Sequence, residues 1–193
     1  MTKTRKVAVI VGSLRKESLN RKAALALANL APEGVELEIV EIGDLPLYDE
    51  DVEAAGSPAA WARFRAQVKA SDAVLFVTPE YNRSVPGALK NAIDVGSRPY
   101  GASAFAGKPA AVMSLSQGAI GGFGANHHLR QSLVFLDMPV LQQPEAYVGG
   151  AGSLFDANGQ IAEEGTRGFS KAFIEAFAAW IERNANPREA AHG

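Results

Sequence analysis

The segment Val7-Ala8-Val9-Ile10-Val11-Gly12-Ser13-Leu14-Arg15-Lys16-Glu17-Ser18-Leu19-Asn20 opens with five consecutive apolar residues and passes through a glycine into a polar loop. An unbroken, largely β-branched apolar run predicts a strand buried on both faces of a parallel sheet. Directly after the loop, Ala24, Leu27, Ala28 and Ala31 recur at helical spacing, which predicts a helix from Ser18 to Ala31. A strand, a polar turn and a helix in this order leave the free N–H groups of the helix pointing into the turn.

The same unit recurs outward from this segment. Val35 to Val40 predicts a second strand, nearer the sheet edge because apolar and acidic residues alternate at its start, and Gly43 to Gly56 reads as a loop. Ser57 and Pro58 read as N-cap and first residue of a second helix whose buried face is Trp61, Phe64 and Val68. Ala73 to Thr78 gives a third strand, Val85 to Val95 a helix, and Pro109 to Leu115 a fourth strand. Leu129, Leu133 and Leu136 mark a fourth helix, Pro139 to Leu141 begin a fifth strand, and Phe169 to Ile181 carry the apolar stripe of a last helix. Strict alternation predicts an α/β fold: a flavodoxin-like, doubly wound five-stranded parallel sheet of order 2-1-3-4-5, with helices on both faces. In such sheets ligands bind beyond the carboxyl ends of the strands where the order reverses, here strands one and three.

The chain has 193 residues, 47% of them apolar and 21% charged, as expected of one domain spanning 1–193 with a frayed tail over 184–193. A net charge of −2 gives no basic footprint for nucleic acid and no polybasic membrane patch, which favours a small-molecule partner. No cysteine is present, so disulfides, thiolate catalysis and cysteine-ligated metals are excluded and redox chemistry requires a borrowed cofactor. The first apolar run ends at Val11, too short for a signal or membrane segment, and the expected location is the cytoplasm.

The first loop suits a small dianion. Ser13, Ser18 and Asn20 can donate hydrogen bonds, and the guanidinium fork of Arg15 matches phosphate oxygens. The loop is neither the G-x-G-x-x-G dinucleotide fingerprint nor the Walker pattern, so a monophosphate is favoured. Its simplest alternative is a serine-capped turn beside a solvated arginine. Thr78-Pro79-Glu80-Tyr81-Asn82-Arg83-Ser84-Val85-Pro86 forms the opposite lip, stiffened by two prolines and able to offer backbone groups to a flat ring. Ser116 to Gly122 adds a glycine-rich wall that lets backbone approach closely.

These loops resemble those of the NADPH-dependent FMN reductases, including the quinone and chromate reductases. The likeness rests on G-S-x-R-x-x-S-x-N at Gly12 to Asn20, on P-E-Y-N at Pro79 to Asn82 with Ser84 to Asn91 following, and on the loop Ser116 to Gly122. Leu45 to Tyr48 and the turn from Leu154 to Gly159 add support. The resemblance implies FMN phosphate on Ser13, Arg15, Ser18, Leu19 and Asn20, and the flavin ring against Pro79, Glu80, Tyr81 and Asn82 with Ser116 facing it. It further implies NADPH or NADH as electron donor, ping-pong hydride transfer to quinones, chromate or similar small acceptors, and a homodimer or homotetramer.

No dedicated catalytic residue and no metal site is expected. His127 and His128 are adjacent and would point apart on a helix, and Asp49, Glu50, Asp51 and Glu53 read as a solvated charge run. Arg83, Arg98, Tyr100 and Arg130 are candidates for the nicotinamide phosphate, the acceptor or a subunit contact; the apolar stripe of the fourth helix, with Arg130 and Glu145 as a candidate charged pair, would fit such a contact. One rival is a flavodoxin-type electron carrier, which the weak net charge disfavours because carriers gain from a strongly acidic docking surface. A flavin-free domain using the first loop for another phosphate ligand is the other.

Overall fold

A computed structural model describes residues 4–184. Five strands form one sheet: β1 (Arg5–Val11), β2 (Val35–Ile39), β3 (Ala73–Thr78), β4 (Ala110–Leu115) and β5 (Ala146–Val148). All neighbours are parallel and the order is β2-β1-β3-β4-β5, as the alternation predicts. Every residue of β3 and β4 is buried, whereas β2 at the edge alternates half-buried and exposed, in line with its Glu36 and Glu38.

Among the described residues six α-helices occur: α1 (Leu19–Leu30), α2 (Glu50–Ala55), α3 (Ala59–Lys69), α4 (Gly87–Gly96), α5 (Phe123–Phe135) and α6 (Glu164–Asn184). Because strand side chains alternate, Val7, Val9 and Leu75 face one core with Leu27, Phe173 and Phe177 of α1 and α6. Ala8, Ile10 and Phe76 face the other with Trp61, Phe64, Leu89 and Leu133 of α3, α4 and α5. The two cores hold the strands rigid, so the loops at their carboxyl ends are presented from a fixed platform.

Three expectations need correction. The fifth strand does not start at Pro139: Val140 makes only an isolated parallel bridge to Ala110, and the strand proper begins at Ala146. Between them lies Pro144, which has no N–H for the ladder. Pro58 rather than Ser57 is the N-cap of α3, because the Ser57 hydroxyl is engaged with Glu53 and Arg65. The acidic run is not a simple solvated loop. Asp49 caps α2 by accepting from the Asp51 N–H at 2.8 Å, and the acidic first turn complements the helix dipole. Glu53 turns inward to Arg65, Nη1 to Oε1 2.9 Å, and the Arg65 and Ser57 hydrogen bonds hold its carboxyl below the usual range. Arg65 Nε also donates to Val95 O at 2.8 Å, tying α2 and α3 to α4. The expected frayed segment beyond Asn184 lies outside the described residues.

Candidate functional site

The first lip grows from the carboxyl end of β1. Gly12 N donates to Val77 O at 2.9 Å, and a Cβ at Gly12 would meet Thr78 Oγ1 at 2.7 Å. Only glycine lets the two lips approach so closely. Ser18 caps α1, its Oγ accepting from the Arg21 N–H at 3.1 Å, and Arg15 is exposed, so both features of the capped-turn alternative are present. The amides of Leu19 and Asn20, at the first two helical positions, have no carbonyl one turn back inside the helix. Asn20 is 4% exposed, and its buried Oδ1 has no hydrogen-bond partner. Buried amide oxygens left this way are uncommon in folded proteins and mark a place where a ligand hydroxyl or N–H fits. The side chains of Arg15 and Lys16 are exposed and make no hydrogen bond or ion pair among the described residues.

The second lip is locked by its own bonds. Tyr81 and Ser84 exchange backbone hydrogen bonds at 3.0 Å in both directions, with Asn82 and Arg83 left-handed at φ 52° and 63°. That is the geometry of a two-residue type I′ hairpin turn, which asparagine tolerates well. Thr78 Oγ1 donates to Pro79 O at 2.8 Å. Glu80 reaches across to α5, where its Oε2 accepts from the Ala125 N–H at 3.0 Å. Since the N-cap of α5 is Gly122, which has no side chain to offer, Glu80 supplies the missing cap from a neighbouring loop. A Cβ at Gly124 would meet Arg83 O at 2.8 Å and Glu80 Oε2 at 2.9 Å, so the lip sits directly on the start of α5.

The third wall follows β4. Ser116 Oγ accepts from the Gly118 N–H at 3.1 Å, and Gly121, at φ 64°, lies against the backbone of Tyr147, where a Cβ would meet the carbonyl carbon at 2.6 Å. The three walls enclose a cavity of about 230 Å³. It is lined by Ser13, Arg15, Ser18, Leu19, Asn20, Pro79, Glu80, Tyr81 and Ser116, together with Leu115 and Gln117. Nine of the ten sequence-predicted residues therefore meet at one place. Asn82 is not among the lining residues; its left-handed backbone belongs to the turn that shapes the lip. Leu115 and Gln117 flank Ser116 and carried no signal of their own beyond adjacency to it.

Residues 5–153 match the sequence profile of the NADPH-dependent FMN reductases. The chain belongs to this family. Among relatives of the FMN reductase chain is a quinone reductase of Pseudomonas putida, 67% identical over 184 residues, covering 95% of this chain and 98% of the relative. A 2-hydroxy-1,4-benzoquinone reductase of a Burkholderia species is 47% identical over 91% of this chain and 96% of its own. Among solved structures, the flavoenzyme NAD(P)H:(acceptor) oxidoreductase of Paracoccus denitrificans superposes with a TM-score of 0.88 at 43% identity, covering 93% of this chain and 98% of that one. Membership makes the chain an oxidoreductase with FMN as cofactor and NAD(P)H as donor.

The cavity fits that cofactor chemically. A phosphomonoester is an acceptor only and matches the guanidinium, the hydroxyls and the two open helix amides, while the Asn20 carboxamide can serve both the phosphate and a neighbouring ligand hydroxyl. The remaining polar candidates lie elsewhere. Arg83 approaches Glu80 Oε1 at 3.5 Å, Arg98 stacks over Tyr48, and Tyr100 is exposed. Within the chain Arg130 donates to Asn126 Oδ1 and Leu141 O, both at 2.8 Å, as a brace between α5 and the approach to β5. His127 and His128 point apart, His127 Nε2 lying 3.0 Å from Tyr147 Oη and His128 Nδ1 3.0 Å from Ser84 Oγ. Burial, and secondarily the neighbouring Glu145, push the Tyr147 phenol up to about 12, so it stays protonated. Among the described residues no cluster of three metal-ligating side chains occurs, and no helix is long and apolar enough to cross a membrane.

Proposed function

We propose that this FMN reductase is an NAD(P)H:quinone oxidoreductase in which Ser13, Arg15, Ser18, Leu19 and Asn20 hold the FMN phosphate. Pro79, Glu80 and Tyr81 then flank the ring, Ser116 faces it, and Asn82 acts through the turn. The observation that carries this reading is the convergence of nine residues on one cavity containing the unpaired Asn20 amide. The quinone reductases among its relatives favour quinones as acceptors. FMN, when bound, would supply the two-electron chemistry, taking a hydride from NAD(P)H and passing two electrons and one proton to a quinone, with the second proton drawn from water, to give the hydroquinone.

The chain's own part is to bind and orient. The open amides at the start of α1 and the Arg15 guanidinium neutralise phosphate charge. The prestressed backbone of the Tyr81–Ser84 turn fixes the second lip, and half-exposed Tyr81 stands at the cavity mouth. No acid or base of the protein is required where donor and acceptor occupy the same open face in turn, so the kinetic scheme is ping-pong. Chromate and other small oxidants suit the same face. Phe123, Val134 and Phe135 are exposed on α5, which supports a second copy packing there as a homodimer or within a homotetramer. The nicotinamide donor and the absence of cysteine fit a cytoplasmic location.

Steady-state rates with NADPH varied at several fixed benzoquinone concentrations test this reading. Parallel double-reciprocal lines are expected; converging lines contradict the alternating scheme. Retention of FMN without turnover favours the electron-carrier rival.

A further inference from the structure

A second cavity, of about 480 Å³, opens between the carboxyl ends of β1 and β2. It shares Ser13 and Arg15 with the first and adds Leu14, Lys16, Arg21 and the segment from Ile39 to Gly43. Its charge is one-sided. Arg21 is paired with the one carboxylate lining it, Glu41, at 2.6 Å. The nearby Glu17 is turned toward Lys22 at 3.5 Å. Arg15 and Lys16 are left as two cations with no partner among the described residues. Beside them Leu14 is 57% exposed and packs on Gly43, where a Cβ would lie 3.4 Å from its Cδ2, giving an apolar shelf next to the charge. An apolar shelf with cations at its edge suits a heteroaromatic base carrying phosphate.

We propose that this cavity is the subsite for the 2′-phosphorylated adenosine of NADPH and that Lys16 selects NADPH over NADH. The proposal rests on the nicotinamide-donor reading above. Arg15 is already assigned to the cofactor phosphate, so Lys16 is the surplus cation that a further dianion would meet. The adenylate of a flavin dinucleotide could use the same shelf, with the second phosphoryl of its pyrophosphate facing Lys16, and is the competing occupant that the binding experiment separates.

Calorimetric titration of the FMN-loaded protein with adenosine 2′,5′-bisphosphate and with AMP reads the subsite without turnover. The bisphosphate should bind at least about ten-fold tighter than AMP, Lys16→Ala should erase most of that margin, and Lys16→Arg should retain it. In steady-state assays Lys16→Ala should raise the KM for NADPH roughly ten-fold while kcat and the KM for NADH hold. Equal binding of the two nucleotides, or a Lys16→Ala margin equal to the parent's, overturns the assignment. FAD binding tighter than FMN, with the advantage lost in Lys16→Ala, overturns it in favour of a flavin dinucleotide. Failure of both nicotinamides to reduce the FMN would instead strike the proposed function, while the bisphosphate margin still reports on the cavity.

Discussion

The two lips of the cofactor cavity are built in opposite ways. In the first, Gly12 to Asn20, polar groups are left over among the described residues: Arg15 and Lys16 are unengaged, the Asn20 Oδ1 is buried without a partner, and two helix amides stay open. In the second, Thr78 to Pro86, the groups that shape the lip are bonded within the protein, through the Tyr81–Ser84 turn, Thr78 to Pro79 and Glu80 to α5. The first lip binds by what it withholds from the fold, and the second shapes the cavity by what it contributes to the fold. Away from Gly12, where the lips touch, substitutions in the first should therefore alter ligand affinity more than stability, and those in the second the reverse.

The largest effect is expected where the lips touch. Gly12→Val should cost about 3 kcal/mol of stability and also weaken FMN binding, because the added carbons collide with Thr78, Leu89 and Pro79; urea denaturation with and without FMN separates the two. Arg15→Ala should weaken FMN binding by about 2 kcal/mol, roughly thirty-fold, through loss of a charge-assisted contact, while the denaturation midpoint of the cofactor-free protein stays put. A shift of that midpoint as large as the affinity loss would contradict the division between lips. Glu80→Gln should cost about 1 kcal/mol of stability by weakening the cap on α5, with a smaller effect on FMN affinity. Smallest is Asn82→Gly, which keeps the left-handed turn and should change the midpoint by less than about 1 kcal/mol, whereas Asn82→Val should lower it by about 1–2 kcal/mol.

Much of this was legible in the sequence, for physical reasons that differ by element. The apolar runs of β1, β3 and β4 leave little choice, since a segment buried on both faces must be apolar throughout. The run Pro139 to Leu141 reads as the start of the fifth strand because it does touch the sheet, through one bridge at Val140, before the chain leaves it around Pro144. In the acidic run, Asp49, Glu50 and Asp51 are exposed as the sequence predicts, and only Glu53 departs, because Arg65, which draws it inward, is a helix away in sequence. At the site, the motifs identified the residues but not the division of their work. P-E-Y-N reads as four equivalent contacts, yet Glu80 caps α5 and Asn82 turns the chain, roles that depend on Gly122, Gly124 and Ser84. Within the chain Arg130 braces α5 through Asn126 and Leu141 O, partners that no spacing in the sequence announces.

The central claim is that this chain carries electrons from a nicotinamide to a quinone through FMN held between these lips. Anaerobic addition of NADPH to the FMN-loaded protein, followed in the visible spectrum and then by addition of benzoquinone, tests it most directly. The account predicts bleaching of the flavin band by the nicotinamide and its return with the quinone. A protein that retains no FMN after reconstitution, or whose bound FMN neither NADPH nor NADH bleaches, would contradict it.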